Sequence, residues 1–110
     1  MTTESDEQIG FINWFRAKFP GVLIFHIPNG GFRSIKTAHK LKLEGVVPGI
    51  PDLYVPEWNL WVEMKTNKGK LSERQKEIIR HLYYIGHTVI VGYGAEDASS
   101  QVIEYMDGRT

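Results

Sequence analysis

The chain of 110 residues contains no cysteine, which excludes disulfides and thiolate metal sites and points away from an oxidising compartment. Any metal must therefore be held by oxygen or imidazole. No apolar run approaches the ~20 residues of a membrane span, and the first eight residues are polar and acidic rather than basic and then apolar. A cytoplasmic, intracellular protein with no membrane partner is expected. Repeats, low-complexity tracts and long linkers are lacking, and Pro and Gly punctuate the chain at short intervals instead. Net charge is absent too: 13 basic residues balance 13 acidic ones, so the total selects no partner. The distribution says more, because ten of the basic residues lie between Arg33 and Arg80 against six acidic ones, leaving both ends acidic. Such a basic middle suits a phosphate-facing surface or a merely solvated one.

What is present describes an ordinary folded protein. A hydrophobic content of 42% is too high for disorder, and the length allows one core, so residues 1–110 are expected to form a single α/β domain. Ile9, Ile12, Phe15 and Phe19 recur at helical spacing in 5–19, ended by Pro20-Gly21, and 22–27 reads as a buried strand closed by Pro28-Asn29-Gly30-Gly31. Helix composition over 34–44 ends at Gly45. Residues 52–55 and 60–66 read as a hairpin joined through Pro56-Glu57-Trp58-Asn59. Ser72 with Gln75 forms a capping box for a helix whose stripe is Ile78, Ile79 and Leu82, stopped by Gly86. A strand over 88–91 and a helix over 95–106, using Ala98, Val102 and Tyr105, complete an αβαββαβα order.

The chemistry concentrates in Gly49-Ile50-Pro51-Asp52 and, ten residues on, Glu63-Met64-Lys65. Period two puts Trp61, Glu63 and Lys65 on one face of their strand and Leu60, Val62 and Met64 on the other. A four-residue loop pairs Val55 with Leu60, and that register sets Asp52 opposite Glu63. Opposed residues have Cβ atoms ~5 Å apart. Two charges ~4 Å apart at an effective dielectric of ~20 repel by about 4 kcal/mol, too much for a marginally stable domain to leave uncompensated. A divalent cation compensates it. Paired carboxylates on a stiff sheet suit Mg²⁺ or Mn²⁺, which can lower the pKa of a bound water and neutralise charge on a phosphoryl oxygen, while Lys65 holds the water or stabilises the transition state. A Glu-x-Lys pair alone is as well explained by a solvated strand; the opposed Asp52 favours phosphodiester hydrolysis.

The Pro-Asp, Glu-x-Lys arrangement resembles the PD-(D/E)xK phosphodiesterase superfamily. The wider pattern resembles its VRR-NUC branch, on Glu4 with Gln8, His26-Ile27-Pro28-Asn29-Gly30-Gly31, Gly45, Gly49-Ile50-Pro51-Asp52-Leu53, Glu63-Met64-Lys65-Thr66 and Gln75. The resemblance implies a restriction-endonuclease-like fold, a central mixed β-sheet flanked by helices. It also implies metal held by Asp52, Glu63 and the Met64 carbonyl, catalytic participation by Lys65, and an acidic contribution from the first helix, with Glu4 in the matching position and Glu7 as the alternative. Acidic residues in a first turn also simply favour the helix dipole. Gln75 carries two readings, a helix cap and a glutamine that supports the site.

The implied activity is that of a Mg²⁺-dependent DNA endonuclease, a homodimer selective for branched DNA such as four-way junctions. A nuclease for duplex DNA or RNA and a non-catalytic nucleic-acid binding module are the alternatives. Free backbone amides at Asn29, Gly30 and Gly31 lead into Arg33, Lys36 and Lys40, which together suit a DNA phosphate. Lys68 and Lys70 form a second candidate clamp, or a solvated loop. His26 is read as a hydrogen-bonded core residue rather than a ligand.

Overall fold

Thr3 starts the first helix because its hydroxyl accepts the Asp6 amide while the Asp6 carboxylate accepts the Thr3 amide, satisfying two donors that a helix start leaves open. In the computed structural model, which describes residues 2–28 and 34–109, this helix is α1, Glu4–Lys18. It is followed by β1 (Phe25–His26), α2 (Ile35–Leu43), β2 (Leu53–Val55), a 3₁₀ turn (Pro56–Trp58), β3 (Leu60–Lys65), α3 (Glu73–Tyr84), β4 (Thr88–Tyr93) and α4 (Ala95–Asp107). The αβαββαβα order is therefore as expected. The strands lie in the order β1-β2-β3-β4, with β1/β2 and β2/β3 antiparallel and β3/β4 parallel, a mixed sheet flanked by helices. No helix among the described residues is long and apolar enough to cross a membrane.

One sheet face builds the core. Leu53, Val55, Leu60, Val62, Met64 and Ile90 are buried there with Phe11 and Phe15 of α1 and Ala98 and Val102 of α4. Phe15 and Phe19 meet Trp58 at ring-centroid distances of 5.5 and 5.0 Å, so α1 is pinned to the β2–β3 turn by aromatic edges and faces. The stripe on α1 is not the expected one: Ile9 is 57% exposed and Phe11 fully buried. Two residues turn a helix by ~200°, so burying Phe11 sends Ile9 to solvent. Apolar residues occur on several sides of α1, and packing in the core with the sheet and with Ala98 and Val102 of α4 selects Phe11 over Ile9.

The first strand is also shorter than expected. Only Phe25–His26 pair, opposite Tyr54 and Leu53, and both are exposed rather than buried. Beyond Phe25 the ladder would meet Val55, the last residue of β2, and then Pro56, which has no amide to donate and begins the 3₁₀ turn. Ile24 is still buried, its carbonyl accepting from Arg16, and the Leu23 amide donates to Glu57. β4 runs two residues further than expected, through Gly92. A Cβ there would lie 2.5 Å from the Ala98 Cβ, so Gly92 marks the close approach of α4 to the sheet rather than a strand end. The cap at Gly45 is as expected, with φ +104 after α2.

Candidate active site

Alternation along β3 sends Trp61, Glu63 and Lys65 to the face opposite the core, as the spacing requires. The β2–β3 ladder pairs Val55 with Leu60, Tyr54 with Trp61 and Leu53 with Val62, so one further step sets Asp52 against Glu63. Asp52 Oδ2 accepts the Met64 amide at 2.8 Å, and its carbonyl accepts the Ile27 amide at 2.8 Å, which fixes the residue from both sides. The turn leading to it depends on Gly49, whose φ is +90 and where a Cβ would stand 3.0 Å from Arg74 backbone and side-chain atoms. The chain can pass beneath α3 there only without a side chain.

Carboxylate oxygens of Glu4, Asp52 and Glu63 all lie within 4.8 Å of one another. Glu63 is only 3% exposed. Its burial comes from α3, which lays Gln75 over this face so that Nε2 donates to Glu63 Oε2 at 3.0 Å; Lys65 Nζ lies 3.5 Å from the same oxygen. Gln75 meanwhile accepts the Ser72 amide through Oε1 and has its own amide capped by Ser72. Gln75 thus makes both sets of contacts at once, its oxygen accepting at the helix start and its nitrogen donating to Glu63.

The electrostatics follow from this crowding. Burial, then the Asp52 charge, pushes the Glu63 carboxyl up from 4.5 to about 7 against the pull of Lys65. Burial also raises Asp52, opposed by the Met64 amide and by His26 and Lys65, and it raises Glu4 with a further contribution from Asp52. All three shifts share a direction. Among the described residues no buried side-chain nitrogen or oxygen lacks a partner. The cost at Glu63 is thus one of charge, not of an unmade hydrogen bond.

The first-helix alternative separates cleanly. Glu7 Oε1 accepts the Ala95 amide at 2.8 Å at the start of α4, and hydrogen bonds to Thr2 and then to Ala95 hold its carboxyl below the ordinary value. Glu4 joins the pair, whereas Glu7 caps another helix. His26 is not a core residue: it is exposed, with Nδ1 2.9 Å from the Asp52 carbonyl, because β1 is the sheet's edge. Its sequence signal was the strand itself, which pairs with the residues leading out of Asp52.

No family model matches the sequence, and no curated protein does. Among solved structures, a VRR_NUC domain protein superposes with a TM-score of 0.78 at 28% identity, covering 96% of this chain and 89% of that one. This chain is similar in fold to a VRR-NUC domain. The likeness supports a nuclease-domain family, and the mixed sheet with flanking helices is the fold that the sequence pattern implied. Of the candidate phosphate contacts, Asn29, Gly30, Gly31 and Arg33 lie outside the described residues. Lys36 and Lys40 are exposed one turn apart on α2. Lys68 and Lys70 are exposed after β3, where Lys68 lines a cavity of about 500 Å³ with Thr66, Asn67 and Tyr93.

Proposed function

We propose that this chain is a VRR-NUC domain and a divalent-cation-dependent DNA endonuclease, with Asp52, Glu63 and Lys65 catalytic, Gln75 supporting them, and Glu4 and the Met64 carbonyl completing the metal ligands. The observation that carries the reading is the convergence of three carboxylates within 4.8 Å with a single lysine beside them. An all-oxygen donor set of this charge suits a hard cation, Mg²⁺ with Mn²⁺ as substitute. Such an ion, when bound, supplies a lowered water pKa and neutralises charge on the phosphodiester.

The chain's own groups do the rest. Gln75 and the Met64 amide hold the two carboxylates in place, so that little rearrangement is needed when substrate arrives. Lys65 carries the positive charge nearest the buried glutamate and stabilises the negative charge that develops as the bond to phosphorus forms. Lys36, Lys40, Lys68 and Lys70, with Asn29, Gly30, Gly31 and Arg33, contact the backbone phosphates and position the strand without reading its sequence. A single domain over residues 1–110, paired as a homodimer, presents two sites and suits branched substrates such as four-way junctions, recognised by shape.

The test incubates the purified chain with labelled single-stranded, duplex, flap and four-way DNA, with and without Mg²⁺. Cleavage strongest on the four-way substrate, dependent on the ion and abolished by Asp52→Asn or Lys65→Ala, is expected. Cleavage by these variants equal to the parent's rejects the catalytic assignment. Binding with no cleavage on any substrate replaces it with a nucleic-acid binding module.

A further inference from the structure

The face that carries Asp52 and Glu63 continues into aromatic rings. Two rungs along the β2–β3 ladder, Tyr54 stands opposite Trp61, and alternation keeps that pair on the same face as the carboxylates, ~7 Å away along the strand. The two ring centroids are 4.1 Å apart at 32°. His87 stacks on Tyr54 at 6.1 Å and 20°, and Phe25, 39% exposed, meets Tyr54 edge-on at 6.0 Å. The core does not account for this ledge, since Leu53, Val55, Leu60 and Val62 of the same strands fill the core on the opposite face.

The polar atoms of Tyr54 and Trp61 are already engaged within the chain. Trp61 Nε1 donates to His87 Nδ1 at 2.9 Å, and the Tyr54 hydroxyl donates to Asn59 Oδ1 at 3.0 Å. Those bonds fix the rings and use up the Tyr54 and Trp61 donors, leaving the Nε2–H of His87, which accepts at Nδ1, as the remaining donor. Tyr54 and Trp61 are only half-buried, so what the ledge offers outward is chiefly rigid π surface. Fixed aromatic rings beside a phosphate-handling site match the chemistry that binds single strands, where bases stack whatever their sequence.

The geometry points to the Phe25, Tyr54, Trp61 and His87 ledge as a stacking subsite for an unpaired nucleobase of the strand whose phosphodiester lies at the carboxylates. It rests on the nuclease reading and sharpens it: the cut is placed where the flanking nucleotide is unpaired, as at a branch or single-stranded end. A paired base is already stacked on its neighbours and gains little from the ledge.

Binding is measured in EDTA, where cleavage plays no part, by anisotropy with a labelled oligothymidylate, an abasic strand of equal length and a duplex. Tyr54→Ala and Tyr54→Leu are expected to weaken oligothymidylate binding by about 10- to 100-fold and to leave the abasic strand and duplex unchanged, while Tyr54→Phe, which keeps the ring, retains parental affinity. Should these variants lose their fold by circular dichroism, quenching of parental tryptophan fluorescence by oligothymidylate but not by the abasic strand supports the subsite, and equal quenching overturns it. Unchanged affinity in a folded Tyr54→Leu, or an equal loss on the abasic strand, also overturns it. So does a parental dimer that Tyr54→Leu splits in sedimentation, since the ledge would then join two copies of the chain. A protein that stacks bases in EDTA but cleaves nothing in Mg²⁺ refutes the nuclease reading alone.

Discussion

Replacing Glu63 with glutamine removes the charge that burial opposes while keeping a carbonyl oxygen to accept from Gln75. Folding carries the Glu63 carboxyl from 4.5 to about 7, with the attraction of Lys65 already included, and that difference is worth roughly 3 kcal/mol. Between these values the folded chain keeps a proton that the unfolded chain has released. Stability is therefore fully present below about pH 4.5, falls as pH rises toward 7, and levels off above it. The raised values of Asp52 and Glu4 act in the same direction. In EDTA, Glu63→Gln should match the parent near pH 4.5 and exceed it by roughly 3 kcal/mol at pH 8, a Tm gain on the order of 10 °C for a chain of this length. Urea unfolding followed by circular dichroism at several pH values between 4.5 and 8 measures the difference. A parent whose stability stays flat or rises between pH 5 and 7, or a variant that tracks it at every pH, refutes the claim that Glu63 is charged at a cost.

Added Mg²⁺ should narrow or close the gap at pH 8, raising parental stability by about 2.7 kcal/mol at a hundredfold excess over Kd and Glu63→Gln by much less; an equal gain in both removes Glu63 from the metal ligands. The two duties of Gln75 can be separated. Gln75→Glu keeps an oxygen for the Ser72 amide but sets a carboxylate against Glu63, so α3 should persist by circular dichroism while Mg²⁺-dependent cleavage drops at least tenfold; Gln75→Ala should also lower stability by ~1 kcal/mol through the lost cap. Gly92→Ala should cost at least 1–3 kcal/mol in urea unfolding, because its new methyl meets the Ala98 Cβ at 2.5 Å and must push α4 off the sheet.

The sequence by itself determined what short-range geometry controls. A four-residue connection between Val55 and Leu60 fixes the β2–β3 register, and period two then forces Asp52 and Glu63 together and keeps Lys65 on their face. Capping by Ser72 and Gln75, the stop at Gly45 and the order of elements are equally local, since each depends on residues within a few positions of one another.

Tertiary structure decided what depends on distant partners. The phase of α1 waited on the core that buries Phe11 beside Ala98 and Val102, the end of β1 on Pro56 across the ladder, and the extension of β4 through Gly92 on the approach of Ala98. Glu4 and Glu7 are alike in sequence, both acids in one first turn. They differ because one reaches Asp52 and Glu63 and the other reaches the Ala95 amide. Burial of Glu63 belongs to the same class. Alternation assigns its face, but only α3 folding over that face removes its water and lifts its pKa, because desolvation depends on everything packed around a group and not on its neighbours in the chain.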